Sequence, residues 1–312
     1  MSASLVGSEM CIRDRLSACS SPKHEPMPLV KFTPSMEVTE VWSKGLSSAE
    51  GFLVPAVYDD MVFAAGGKTL TRLNARTGET EWSVSFNSPI TGGVGSDGYV
   101  TAVGLWDGNL EVVDAEGKVS WEKKLTTELA SPPVVSHGLV IARTMDTRVS
   151  AFEASSGELQ WTYQRSQPAL TVRLPTRMLA HDNFLLVGQP NGHIVILDIA
   201  SGKPMFEFQV AQAKGVTEVE RLVDVVGAPA FSDNLVCAAA FQGAVTCVDS
   251  TNGQTRWTQK IDAVAGPAID EDNVYAVSVN GEVQAFYRES GEQRWSNKTM
   301  LCLLYTSPSP RD

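Results

Sequence analysis

Five cysteines, at positions 11, 19, 237, 247 and 302, and four histidines, His24, His137, His181 and His193, are the side chains best suited to ligate a metal or act as nucleophiles. Their spacing supports neither role. There is no C-x-x-C pair and no accompanying histidine cluster, so a zinc site is not expected. Three of the histidines fall in or beside predicted turns, where a solvated imidazole needs no further explanation. No G-x-S-x-G, P-loop or H-E-x-x-H pattern occurs. Cys237 and Cys247 flank a predicted hairpin turn at Gln242-Gly243. A three-residue loop would set them opposite each other, which permits a cross-strand disulfide in an oxidising compartment. Two small buried thiols are the simpler expectation. No catalytic residue, cofactor or metal is expected.

Cys19 is of another kind. It ends the run Leu16-Ser17-Ala18-Cys19 and is followed by Ser20-Ser21-Pro22. That run matches a lipobox, in which cleavage before the cysteine leaves its thiol free to carry diacylglycerol. A tether rich in proline (Pro22, Pro26, Pro28, Pro34) comes next. A lipobox should follow a charged segment and then an apolar one. Met1 to Arg15 supplies neither, and it resembles translated sequencing-adapter DNA. Cys302 to Asp312 has the same character. The expected organisation is a non-native segment over 1–15, lipobox and tether over 16–37, the folded part over 38–301, and a non-native tail over 302–312.

The chain has 312 residues, 43% of them hydrophobic and 20% charged, enough for a sizeable core. A net charge of -11 opposes nucleic acid or anionic lipid as the main partner and favours solubility. No apolar run approaches the roughly 20 residues that cross a bilayer. Contact with a membrane would be made only through lipid on Cys19.

One phrase recurs. It reads Leu73-Asn-Ala-Arg-Thr-Gly-Glu-Thr-Glu-Trp82, then ends at Trp121, Trp161, Phe206, Trp257 and Trp295 in successive copies. Its turn glycines are Gly78, Gly117, Gly157, Gly202, Gly253 and Gly291, spaced 39, 40, 45, 51 and 38 residues apart. Trp42, 40 residues before Trp82, marks a further, incomplete copy. Internal repetition of this length signals a repeat architecture. Each unit resolves into four short strands between Gly, Asn and Asp turns. The third, for example, has strands near Val134, from Leu139 to Arg143, from Arg148 to Phe152 and from Glu158 to Tyr163. Four strands in about 40 residues describe a blade of a β-propeller. The glycine supplies the positive φ of a tight hairpin. The aromatics at one place in the outer strand (Trp42, Trp82, Trp121, Trp161, Phe206, Trp257, Trp295) are expected to dock between blades. Trp106 lies outside this register.

The phrase resembles the docking motif of quinoprotein-like propellers, A-x-D-x-x-T-G-x-x-x-W, over essentially all of residues 38–301. That resemblance implies an all-β propeller, eight-bladed in the family, of which about six blades are complete here. Its enzymatic members are quinone (PQQ)-dependent dehydrogenases that hold the cofactor and calcium with Glu, Asn and Asp at the centre. They often carry a vicinal cysteine pair. This chain has no adjacent cysteines, and its Asp and Asn residues fall mostly in blade turns, Asp59-Asp60 among them, where Asx geometry explains them. A non-enzymatic role is therefore expected, with the dehydrogenase as the alternative.

The irregular intervals are informative. Trp121 to Pro132 takes 11 residues, but Trp161 to Pro175 takes 14 and Phe206 to Pro229 takes 23. Both excesses follow an outer strand, so consecutive blades would place the two loops side by side on one face. The loops contain Leu170-Thr-Val172-Arg173 and Glu218-Val-Glu220-Arg221-Leu-Val-Asp224. Exposed Leu and Val beside Arg fit an interface. The plainer reading packs the loops on each other, with Arg173 paired to Glu220 or Asp224.

Lipobox, propeller and loops together resemble the lipoprotein scaffold of the outer-membrane β-barrel assembly machinery. In that family the loops read L-S-L-R and E-I-D-R-L-x-D-x-D. The resemblance implies that Leu170, Val172, Arg173, Glu220, Arg221 and Asp224 contact the periplasmic POTRA domains of BamA, and that unfolded outer-membrane proteins gather nearby. It also implies anchoring by lipid at Cys19 on the periplasmic face of the outer membrane. Val172 replaces a leucine, and Val226 stands where a second acidic residue is usual. The remaining alternative is a periplasmic propeller binding another protein or a glycan. Such a glycan site calls for an aromatic groove, and these loops hold no Trp or Tyr.

Overall fold

The computed structural model describes residues 37–47, 53–166, 170–172, 174, 176–217 and 219–299. Cys19 and Arg173 lie outside the described residues. Among the described residues, short β-branched and apolar runs between turns form 24 strands. Blade 1 comprises β1 (Ala56–Tyr58), β2 (Met61–Gly66), β3 (Thr69–Asn74) and β4 (Thr80–Ser85). Blade 2 comprises β5 (Ile90–Ser96), β6 (Thr101–Leu105), β7 (Asn109–Val113) and β8 (Val119–Lys124). Blade 3 comprises β9 (Val134–Ser136), β10 (Leu139–Arg143), β11 (Val149–Glu153) and β12 (Leu159–Tyr163). Blade 4 comprises β13 (Leu179–His181), β14 (Phe184–Gln189), β15 (His193–Asp198) and β16 (Pro204–Gln209). Blade 5 comprises β17 (Val225–Ser232), β18 (Leu235–Ala240), β19 (Gly243–Asp249) and β20 (Thr255–Ile261). Blade 6 comprises β21 (Ala268–Ile269), β22 (Asn273–Val277), β23 (Val283–Tyr287) and β24 (Gln293–Asn297).

Every sheet is an antiparallel meander with its strands in sequence order, as the repeat predicts. The first strands of successive blades touch one another, and so lie toward the axis. The fourth strands are mostly exposed and form the rim. The strand alternation has a particular use here: each middle strand serves two cores. In β18, Leu235, Cys237 and Ala239 face blade 6, while Val236, Ala238 and Ala240 face blade 4. In β10, Leu139 and Ile141 face blade 4, and Val140 and Ala142 face blade 2. This two-sided burial is why the middle strands read as continuous apolar runs.

The recurring phrase forms the turn between third and fourth strands, and in all six blades a register shift precedes it. The side chains of Asn74, Asp114, Asp198 and Asp249 accept backbone N–H groups within their own turns. The aromatic of each of blades 1 to 5 lies on the turn glycine of the next, Trp82 of blade 1 on Gly117. Trp121 covers Gly157, Trp161 covers Gly202, Phe206 covers Gly253 and Trp257 covers Gly291. The indole N–H then donates to a carbonyl of that turn: Trp82 to Ala115 at 2.9 Å, Trp121 to Ala154 and Trp161 to Ile199 at 2.8 Å. Trp42 makes the same pair of contacts with Gly78 and the Ala75 carbonyl. Phe206 keeps the stacking and has no N–H to donate. Trp295 is 42% exposed.

Cys237 and Cys247 are direct cross-strand partners, fully buried, and the structure bonds them as a disulfide. That replaces the expected pair of thiols. The sequence placed them opposite each other but could not decide their redox state. His193 opens β15 and bonds Glu207 through Nδ1 at 2.9 Å, and His181 stacks on Phe231 with 3.8 Å between ring centroids. Neither is the simple solvated turn histidine that was expected. His137, with a positive φ, does sit in a turn.

Glu111 is buried on β7 directly opposite Glu122 on β8. Burial, and then the Glu122 carboxylate, push its carboxyl up to about 7. A group held protonated in the folded state contributes stability that is lost as pH rises from the unfolded value toward 7. Glu111→Gln should therefore stabilise the protein at pH 8 by about 1 kcal/mol after solvent screening, and change little at pH 4. Chemical denaturation at the two pH values checks this.

The docking geometry yields a second prediction. A Cβ at Gly157 would lie 2.8 Å from the Trp121 ring at a φ of +70°, whereas Gly138 has the same φ and open space around it. Gly138→Ala should cost only the backbone strain, about 1 kcal/mol. Gly157→Ala should cost about 2–3 kcal/mol because the indole must move as well. Urea denaturation of the two variants separates the terms.

Candidate functional site

In an up-down meander, the connections between second and third strands and the connections between blades emerge on one face. The two enlarged connections therefore lie there together. The first follows β12 and the second follows β16. A single carboxylate joins them. Asp224, 7% exposed, accepts the Val172 N–H at 2.6 Å through Oδ2 and the Asn191 N–H at 3.1 Å through Oδ1. Burial raises its carboxyl above the ordinary range, against the lowering effect of the two N–H donors and of Arg143. Arg143, at the end of β10, is 6% exposed and donates from Nη1 to Thr176 Oγ1 at 3.0 Å. Burial pushes its guanidinium down to about 10, with Asp224 acting in the opposite direction. Thr176 in turn bridges to Gly227 at the start of blade 5. Asp224 and Arg143 thus tie three blades together beneath the loops.

The second loop carries its own brace. The Thr217 hydroxyl accepts the Glu220 N–H at 3.3 Å, and Glu220 Oε2 accepts the N–H groups of Val216 and Thr217 at 2.8 and 3.0 Å. This reciprocal pair is a capping box around one turn of chain. The backbone N–H donors hold the Glu220 carboxyl below its ordinary range, those of Thr217 foremost. Arg221 Nε donates to the Gly215 carbonyl at 3.1 Å. With its polar groups occupied in this way, the loop presents apolar side chains to solvent: Val216 is 90% exposed and Val219 60%. Leu170 on the first loop is 47% exposed.

The structure thus brings the expected residues to one face, but in two layers. Leu170, Glu220 and Arg221 are at the surface, Val172 is half-buried, and Asp224 is buried with both oxygens engaged. Arg143, Thr176 and Gln189, which line the cavity beneath the loops, were not singled out from the sequence. A signal for two of them existed. The second strands of the other blades end in Gly66, Leu105, Ala240 and Val277, but those of blades 3 and 4 end in Arg143 and Gln189. Among the described residues, no three His, Cys, Asp or Glu side chains are grouped to hold a metal ion, and no helix is long and apolar enough to cross a membrane.

Asp224→Ala should leave two buried N–H groups without an acceptor and the Arg143 cation without its counter-charge. The expected loss is about 2–3 kcal/mol by chemical denaturation. Limited proteolysis should cut the loop after β12 faster, and Asp224→Asn, which keeps one acceptor, should show a smaller effect of both kinds.

Comparison with known proteins places the chain in a family. Residues 66–297 match the family model described as outer membrane protein assembly factor BamB. The chain is 38% identical over 247 residues to the protein of that name from Burkholderia pseudomallei, covering 77% of this chain and 65% of the relative. It is 34% identical over 252 residues to the one from Bordetella pertussis, covering 78% and 65%. The chain therefore spans just under two thirds of the length of these relatives. The crystal structure of BamB from Moraxella catarrhalis superposes with a TM-score of 0.73 at 29% identity, covering 78% of this chain and 75% of that one.

Proposed function

Because the chain belongs to the family of the outer membrane protein assembly factor BamB, we propose that it is a non-enzymatic scaffold in the assembly of outer-membrane β-barrel proteins. The observation that carries this reading is the braced pair of loops above blades 3 to 5. Their backbone polar groups are engaged by Asp224, Thr217 and Glu220, and Leu170, Val216 and Val219 are exposed. Such a surface suits a protein partner, since apolar anchors on a preordered backbone lose little entropy on binding. The proposed partner is the row of periplasmic POTRA domains of BamA, contacted by Leu170, Val172, Arg173, Glu220 and Arg221, with Asp224 holding the platform in shape.

In this mechanism the protein works by position. Lipid on Cys19 holds the ring at the periplasmic face of the outer membrane, and Ser20 after the lipobox cysteine is compatible with that sorting. The ring holds the POTRA arm and widens the surface on which unfolded barrel proteins collect. The buried Cys237–Cys247 disulfide supports an oxidising compartment such as the periplasm.

The test is binding of the purified protein to isolated BamA POTRA domains by calorimetry. Wild-type protein should bind. Leu170→Glu and Arg173→Glu should each weaken binding at least about tenfold, the effect of losing one interface anchor, with circular dichroism unchanged. No binding by the folded wild-type protein, or equal binding by both variants, would overturn the assignment.

A further inference from the structure

Beneath the braced loops lies a cavity of about 270 Å³ that no part of the scaffold role uses. Four polar side chains line it with atoms that meet no hydrogen-bond partner in the protein: Thr91 Oγ1, Ser131 Oγ, Arg143 Nε and both amide atoms of Gln189. Three of these residues are deeply buried, with exposures of 3% for Ser131, 6% for Arg143 and 2% for Gln189. Leaving such a group buried and unpaired is costly, and native interiors rarely collect several at one place.

The repeat shows that this polarity is local. Arg143 and Gln189 each close the second strand of their blade, one register step apart: Arg143 lies four residues after Leu139, which pairs with Glu153, and Gln189 five after Phe184, which pairs with Asp198. Residues of the same parity, Ile141 in β10 and Val187 in β14, belong to the core shared by blades 3 and 4. The alternation of the strands therefore turns both polar side chains into one cleft between these two blades. The second strands of blades 1, 2, 5 and 6 end in glycine or an apolar residue.

The chemistry of the cleft is specific. Its unpaired donors are a guanidinium N–H, an amide NH₂ and two hydroxyls, which suit a carboxylate. Its unpaired acceptor, Gln189 Oε1, requires a donor on the same ligand. The buried charges already balance: Arg143 is positive and Asp224 negative, and the Asp224 oxygens are occupied by Val172 and Asn191. An anion would add uncompensated charge to a low-dielectric site, but a zwitterion adds none. We propose that this cavity, lined by blades 2 to 5 around the cleft that holds Arg143 and Gln189, is a binding site for a small zwitterion of the amino-acid class. Its carboxylate meets Arg143 and Ser131, and its ammonium group meets the Gln189 carbonyl. The site does not depend on the POTRA reading, because it is defined by inward-facing side chains.

The probes are L-alanine and L-leucine, with lactate (a monoanion bearing a hydroxyl), succinate (a dianion) and L-alaninamide (a cation) as comparisons. Titrations into the full chain are followed by calorimetry and by the side-chain nitrogen signals of arginine Nε and glutamine amides. One of the two amino acids should bind, move one signal of each kind, and be preferred over every comparison probe at least about tenfold. Gln189→Leu removes the unpaired amide, so it should fold at least as stably as the wild type and bind at least about tenfold more weakly. Arg143→Gln should do the same to binding where it folds, and Ser131→Ala should weaken binding less. Three results would overturn the proposal: neither amino acid binds, binding survives Gln189→Leu, or lactate or succinate binds as tightly as the amino acids.

Discussion

The indole of one blade resting on the positive-φ glycine of the next is the contact on which the rest of this structure depends. A four-stranded meander has two apolar faces and cannot bury both alone. Its middle strands become core only when a neighbour stands on each side. The aromatic sets the distance and angle between neighbours at the rim, where strands splay apart and packing alone would leave a wedge. Glycine is required because a Cβ would occupy the space the ring fills: one added at Gly253 would fall 2.0 Å from the Phe206 ring. The N–H bond to the next turn adds direction to the stacking. Phe206 shows that the ring is sufficient for docking without it.

Once the blades are held, the loops have somewhere rigid to stand. Repetition constrains most of the chain, and only the connections between blades are free to lengthen without disturbing a core. The two long ones are adjacent, so a single carboxylate can serve both. Asp224 spends its two oxygens on backbone groups of the loop after β12 and of blade 4, and its charge on Arg143 of blade 3. A loop ordered in this way can turn Val216 and Val219 outward and still keep one shape.

The phrase, its period and its glycines made the blades legible from the sequence, down to strand limits within about a residue in blade 3. The side-by-side placement of the loops followed from their equivalent positions in the repeat. The layering of the site did not. Asp224 reads as one more acid in a polar stretch, and only its burial separates it from Glu220, which braces its own turn at the surface. Arg143 and Gln189 each read as an ordinary strand end, and only the assembled blades turn both into one cleft.

Sequence alone determined the architecture, because periodic turn chemistry and alternating apolar residues are local properties that repeat within the chain. It also determined that Cys237 and Cys247 face each other, since hairpin register is set by the turn. Tertiary structure decided what proximity across blades creates: the inward Asp224–Arg143 pairing and the cleft into which Gln189 and Arg143 both turn. The physical reason is range. Strand and turn preferences act over a few residues, whereas burial and charge compensation depend on groups more than 30 positions apart that meet only when the blades assemble.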